Sequence, residues 1–340
     1  MSATKTRAAT IFDVARLAGV SHQTVSRVVN DLPNVRPSTR DKVEVAIRQL
    51  QYVPSSAARA LVTKRSRTIG VINTGTADFG PASVAIALSE AASAARYSVI
   101  VAGTSRSGAT SIRDDVERLL RQNVEAIVLI AARTNALDAL SGVVIDVPLV
   151  AVESAGRAGY HSVSLDQYNG ARLAVRHLVS LGHRTIVHLA GPADSLDALE
   201  RVRGWRDELG ESGLPARSPL NSDWTPTGGA RAAEMLLAGT RDFTAVFVAN
   251  DQMALGLLHT FGTRGVRVPD DVSVVGFDDI PEAAYFTPPL TTMRQDFDAL
   301  GRQIMESLLV ILHGDPLPEV ERYVPALVVR DSVRRIADVP

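Results

Sequence analysis

The chain has 340 residues, no cysteine, and 36 Lys and Arg against 37 Asp and Glu. That length is too great for one hydrophobic core and points to two or three domains. The lack of cysteine excludes a disulfide framework and a thiolate metal site. No apolar run approaches the roughly 20 residues of a membrane span, and residues 1–10 carry no apolar segment of the signal-peptide kind, so the expectation is a cytoplasmic protein without a membrane partner. The net charge of −1 conceals a division: residues 1–67 hold twelve basic and four acidic side chains, a net of +8, leaving −9 for residues 68–340. A basic head on an acidic body is the charge footprint of a nucleic-acid binder, because phosphate contacts supply most of the sequence-independent affinity.

Residues 1–9 lack apolar periodicity and read as a basic arm. Thr10 can cap a first helix whose inner face is Ile11, Val14, Ala15 and Ala18. Gly19-Val20 breaks it, and Ser21 caps a second helix to Val29 with Val25, Val28 and Val29 inward. The outer side of that second helix carries His22, Gln23, Ser26 and Arg27. A helix-turn-helix sets such side chains in the DNA major groove, where Arg and Gln can pair bidentately with guanine and adenine edges. An ordinary helical hairpin with a solvated polar face is the plainer reading of this stretch taken alone. A third helix is expected over Pro37–Leu50, with Val43, Ala46, Ile47 and Leu50 inward and Ser38 as a candidate cap.

VSHQTVSRVVN, then TRDKVEVAI, then YVP and SSAARALVTKR resemble the headpiece of the LacI/GalR (lactose-repressor/galactose-repressor) family. The resemblance implies DNA contacts from Ser21, His22, Gln23, Thr24, Ser26, Arg27, Asn30 and Tyr52. Residues 54–62 are too short to be a stable helix alone. The family implies that they fold on DNA, two from a dimer entering the minor groove, with Leu61 wedged into the central base step, Ala58 and Arg59 flanking it and Ser55 as cap. An Ala-rich linker is the plainer reading. Ser55 departs from the family's usual Asn. The expected division is residues 1–53 as headpiece, 54–67 as hinge helix and linker, and 68–340 as body.

From Thr68 strands alternate with helices: RTIGVIN, Pro81–Arg96, YSVIVAG, Ser111–Gln122, AIVLIA and DVPLVAV. After Ser164 the pattern restarts with Gln167–Leu181, RTIVHLAG, Asp194–Glu211, Gly228–Leu237, TAVFVAN, Asp251–Arg264 and VSVVGFDD, and Phe297–Gly314 is a last helix. Strands apolar on both faces mean parallel α/β sheets. Two such runs mean two lobes, with ligands at the carboxyl ends of the strands. The resemblance continues here and implies a bilobed α/β periplasmic-binding-protein-like core of two doubly wound parallel subdomains. One would hold about 68–165 and 294–324, the other about 166–293 and 325–340, with three crossovers near 165, 294 and 324.

Past the strand ends stand Thr74, Glu153, Asn250-Asp251 and Asp278-Asp279. Carboxylates and amides converging with an Arg suit a polyhydroxylated ligand, and an aromatic ring can stack on the apolar sugar face. Taken singly, most such groups are strand-end caps or solvated. FVANDQMALG, VVGFDD, PPLTTMRQDF and LVSLGHRTIVHLAGP carry the resemblance in this region. It implies that Arg201, Asn250 and Asp278 meet sugar hydroxyls, that Trp224 covers the sugar, that Gln295 and Phe297 lie nearby, and that the effector is galactoside-like. Glu153 stands where the lactose-responsive branch has Asp, and Asp78 where an apolar contact is usual, so the sugar and its aglycone are expected to differ. No cofactor is implied.

G-x-S-x-G, H-E-x-x-H and P-loop motifs are absent from the sequence, and His188, alternating within a strand, reads as structural. The resemblance therefore implies a homodimeric transcriptional repressor that reads a pseudo-palindromic operator and is released by a small sugar or glycoside. A corepressor- or phosphocarrier-dependent regulator is the alternative within the family; a sugar-processing enzyme or free sugar-binding protein is a more distant one. DSVRRIADVP carries no leucine heptads, which predicts dimers rather than tetramers.

Overall fold

Among the described residues of the head there are three helices: α1 (Ile11–Ala18), α2 (His22–Val29) and α3 (Pro37–Leu50). In the computed structural model, residues 9–30, 32–53, 65–75, 78–103, 109–154, 156, 160–240, 242–316 and 322–336 are described. The chain divides into two compact units, Met1–Arg67 and Thr68–Pro340.

Thr10 and Asp13 form a reciprocal capping box on α1, satisfying two N–H groups that the helix leaves open. Gly19 ends α1 at φ +67°, a left-handed conformation that a Cβ disfavours. Ser21 Oγ accepts from Thr24 N at 3.1 Å and caps α2. The third helix starts with Pro37 at its first position and Arg36 as an N-cap without a side-chain bond, so Ser38 lies inside the helix and does not cap it. Proline needs no N–H partner there, which removes one of the groups a cap would serve. Val14, Ala15, Val25, Val28, Val43 and Ala46 form the head's core.

The body holds two parallel sheets. The first has the order β2-β1-β3-β4-β5, from β1 (Thr68–Asn73), β2 (Ser98–Gly103), β3 (Ala126–Ile130), β4 (Leu149–Val152) and β5 (His161–Val163). Strand β3 shows why its sequence is apolar throughout. Ala126, Val128 and Ile130 pack against α4 (Phe79–Ala94) and α10 (Phe297–His313), while Ile127 and Leu129 join the other face with α5 (Ala109–Arg121). The second sheet has the order β7-β6-β8-β9, from β6 (Ile186–Ala190), β7 (Leu220–Asn221), β8 (Ala245–Val248) and β9 (Ser273–Val275). Helices α6 (Gln167–Ser180) and α7 (Leu196–Glu211) cover one face, and α8 (Pro226–Ala238) with α9 (Asp251–Thr263) the other. Glycines permit the close approach of these last two helices: a Cβ at Gly229 would stand 2.0 Å from the Met253 carbonyl oxygen.

The helices expected at Pro81, Ser111, Asp194 and Gly228 begin instead at Phe79, Ala109, Leu196 and Pro226. Ser195 and Thr225 cap the last two, which fixes their starts by a side-chain bond rather than by apolar period. Strand β5 was not expected; three residues are too few to show a period. Beyond the sheets, β10 (Thr292–Arg294) pairs antiparallel with β11 (Ala326–Val328). Met293 belongs to the second lobe's core, Leu300 and Ile304 to the first, and Tyr323 bridges Leu165. Among the described residues no helix is long and apolar enough to cross a membrane.

Candidate ligand cleft and DNA-reading face

On the head, His22, Gln23 and Arg27 are exposed on one side of α2, while Val25 and Val28 are buried on the other. Short apolar residues at i and i+3 turn the polar ones outward as one surface. Ser21 and Thr24 are bonded to each other, Oγ to Oγ1 at 2.9 Å. Asn30 turns its amide back to the Ser26 carbonyl at 2.8 Å and so finishes the helix. Tyr52 packs on the head's core. Ser55, Ala58, Arg59 and Leu61 lie outside the described residues.

In the body, the carboxyl ends of the strands face a cleft with two adjoining cavities of about 400 and 440 Å³, including space open to solvent. They share Gly80, Pro81, Ala132 and Asp197. Arg201, Trp224, Asn250 and Asp278 line the first; Glu153, Gln295 and Phe297 line the second. Seven of the eight residues expected at the ligand therefore border one cleft. Thr74 borders neither, because its hydroxyl donates to the Ile130 carbonyl at 3.0 Å and accepts from Ala132 N at 3.0 Å, tying β1 to the end of β3.

Arg201 organises the site. Its Nε donates to Gln167 Oε1 at 2.9 Å, one terminal nitrogen donates to the Ala249 carbonyl, and Nη2 stands 3.6 Å from Asp278 Oδ1. The guanidinium lies 3.9 Å over the Phe277 ring and 5.6 Å from the Trp224 ring. Gln295 donates to Asp278 at 2.7 Å and accepts from Gln167 at 2.8 Å. All four polar groups are buried, which makes their bonds strong and their loss costly. Burial pushes the Asp278 carboxyl up to about 6, with Arg201 and Gln295 drawing it back toward the usual range.

Two cleft residues have strained backbones. Trp224 sits at φ +67° and Asp278 at φ +108°, where side chains other than glycine are rare. Strain of this kind costs about 1–3 kcal/mol per residue and gathers at functional sites. Asn250 anchors the Trp224 turn by donating to its carbonyl at 3.1 Å, while capping α9 with Oδ1 on Met253 N. Gly191 leaves room for the ring: a Cβ there would stand 2.2 Å from it.

The neighbouring carboxylates are structural. Asp251 accepts from Thr292 Oγ1 at 2.6 Å and from Ile280 N at 3.0 Å, and burial, with the nearby Asp278 charge, pushes its carboxyl well above its ordinary value. Asp279 is held by Arg294 and Arg330, at 2.6 and 2.7 Å. His188 is buried, stacked on Phe247 at 4.6 Å and donating from Nδ1 to the Phe247 carbonyl at 2.9 Å, and burial pushes it down to about 4. Gln167 and Asp197 were not expected in the cleft. Asp197 lies one turn before Arg201 on the same helix face, so the i, i+4 spacing was the available signal. Gln167, first residue of α6, gave none. Among the described residues no group of three or more acidic or histidine side chains is placed to hold a metal.

A helix-turn-helix head and a two-lobed body with a polar cleft at the carboxyl ends of its strands define a DNA-binding regulator with a sensor body. Residues 10–55 match the lacI family of bacterial regulatory proteins, and residues 175–333 match the periplasmic binding protein-like domain. The chain is 36% identical over 310 residues to the lactose operon repressor of Escherichia coli (strain K12), covering 90% of this chain and 85% of that protein. It is 35% identical over 335 residues to the transcriptional regulator GalR of the same organism, covering 96% of each. A crystal structure of the lac repressor dimer bound to operator and the anti-inducer ONPF superposes with a TM-score of 0.85 at 34% identity, over 96% of this chain and all of that one. The chain belongs to the LacI family of transcriptional regulators, and is not an enzyme.

Proposed function

We propose that this protein is a homodimeric repressor that binds a pseudo-palindromic operator through α2 and is released when a small sugar or glycoside occupies the cleft. The observation that carries this reading is the cleft network of Arg201, Asp278, Gln295 and Asn250 beneath the Trp224 ring. Carboxylate and amide groups can hold ring hydroxyls, and an indole suits the apolar face of a pyranose. The relative crystallised with operator DNA as a dimer supports the same assembly here. A ligand shifts such a switch only by binding one arrangement better than the other.

Selection from a random duplex library supplies an operator. Fluorescence anisotropy of that operator, titrated with the protein and then with hexoses, galactosides and other glycosides, tests the reading. Release at sub-millimolar sugar by the wild type, and its weakening by tenfold or more in Asp278→Asn, is the expected result. Sugar-independent binding, or binding that appears only on adding ligand, overturns it.

A further inference from the structure

The cleft is rich in acceptors and poor in free donors. Asp78, Glu153, Asp197 and Asp278 line it against one cation, Arg201. Arg201 is committed to Gln167, the Ala249 carbonyl and Asp278. The amides are committed too: Gln295 donates to Asp278, Gln167 to Gln295, and Asn250 to the Trp224 carbonyl. Arg133, at the rim, pairs with Asp194 at 2.5 Å and lies close enough to Asp78 to draw its carboxyl down against the effect of burial.

Asp197 stands where the two cavities join. One of its oxygens accepts from Ser154 Oγ at 2.7 Å, and no described cation pairs with it. In the second cavity, Ser164 is 5% exposed and its hydroxyl has no partner among the described residues. A buried hydroxyl left open at a cavity wall can be satisfied by water or by a ligand group that enters the cavity.

We infer that the ligand is an amino sugar, its ammonium on Asp197 and a hydroxyl on Ser164. This rests on the sugar reading above and narrows it. An ammonium brings three donors and a charge to a wall of acceptors. An anionic sugar meets like charge there, and a neutral one brings Asp197 no opposite charge.

Thermal shift and isothermal titration with full-length protein test this, using galactose, glucose and mannose, their 2-amino forms, their N-acetyl forms and the uronic acids. The amino forms are expected to bind at least tenfold tighter than their parents, the scale of one charge-assisted hydrogen bond. In Asp197→Asn that ratio falls toward one, while Ser164→Ala weakens amino and parent sugars alike. The melting temperature of each variant without sugar reports whether it folds. Parents or uronic acids that bind as tightly as the amines overturn the inference and leave the sugar reading standing, as does an unchanged ratio in Asp197→Asn. If none of these sugars binds, the sugar reading falls and the inference with it.

Discussion

Arg133, past the end of β3, reaches both carboxylate oxygens of Asp194, ahead of α7, with Nη1 at 2.7 and 2.5 Å. The pair reinforces a backbone bridge between the lobes, in which Thr134 N donates to the Asp194 carbonyl at 3.0 Å and Leu196 N to the Ala132 carbonyl at 3.4 Å. Both side chains are a third to a half exposed, so solvent screens them and the pair contributes at most about 1 kcal/mol. A double-mutant cycle with Arg133→Ala and Asp194→Ala should give a coupling of that size in ligand affinity. It should shrink in 1 M salt. A large coupling that ignores salt would show that the pair is part of the ligand site rather than a rim contact.

Arg201 and Asp278 should separate stability from binding. Arg201→Ala leaves a buried carboxylate without its cation and two acceptors without a donor, which costs about 3–5 kcal/mol. Urea unfolding should show this before any ligand is added. Asp278→Asn keeps an oxygen for Gln295 and removes the charge, so at pH 4, where the wild-type carboxyl is protonated, it should unfold near the wild-type midpoint, and at neutral pH it should bind ligand at least tenfold more weakly. Equal destabilisation by both would place Asp278 with Asp251 and Asp279 as a structural acid.

The same carboxyl gives a pH dependence. In the unfolded chain an Asp titrates near 4; folded, Asp278 is pushed up to about 6 by burial. Between these values the folded state holds the extra proton. The group's contribution is therefore full below about pH 4 and is lost as pH rises through 6. Relative to wild type, Asp278→Asn should gain stability as pH rises from 4 to 7, read as the difference in urea midpoints. The buried histidines cancel in that difference, whereas Asp251, whose carboxyl the Asp278 charge helps to push up, adds to it in the same direction. Ligand affinity of the wild type should rise over the same range, because the ionised carboxylate is the better acceptor. A flat difference would mean that Asp278 titrates normally, and one that moves the other way that folding lowers its pKa.

Much of this was legible in the sequence because period and burial coincide. The alternating halves of β3 and the inward valines of α2 follow from apolar spacing alone. The cleft was legible where a side chain follows a strand end, as with Asn250 and Asp278. It was not legible at Ser164, Gln167 and Asp197, whose position depends on how the two lobes meet. Thr74 and Asp251 carry the same local signal as Asn250, yet their side chains turn inward to satisfy backbone groups. Which way a strand-end polar group turns is decided by tertiary hydrogen bonding, beyond the reach of spacing.

Gly191→Ala should disturb the ligand platform without touching DNA. The added Cβ would stand 2.2 and 2.3 Å from two Trp224 ring carbons, so the indole must move. Ligand affinity should fall tenfold or more with operator affinity unchanged. Trp205, the other tryptophan, is fully buried, so in a Trp205→Phe background an emission shift reports on Trp224. Unchanged emission and affinity would mean that the ring is free to slide aside.

Arg27 is exposed on α2 and makes no ion pair with a described residue. Arg27→Ala should weaken operator binding by about 1–3 kcal/mol and relax base preference at one position of each half-site. Binding to unrelated duplex should change much less. Anisotropy titrations at fixed salt decide it: an equal loss on both DNAs would make Arg27 a phosphate contact.

The head's core draws on residues 11–52 alone, and the body's cores on residues from 69 onward. Each unit therefore closes a hydrophobic core of its own. Heritable change can thus redirect such a chain to new promoters while its chemical trigger stays fixed, or retune the trigger while the promoters stay fixed. Duplicated copies need alter only a handful of surface codons to part ways, a route by which one scaffold can supply a genome with many independent switches.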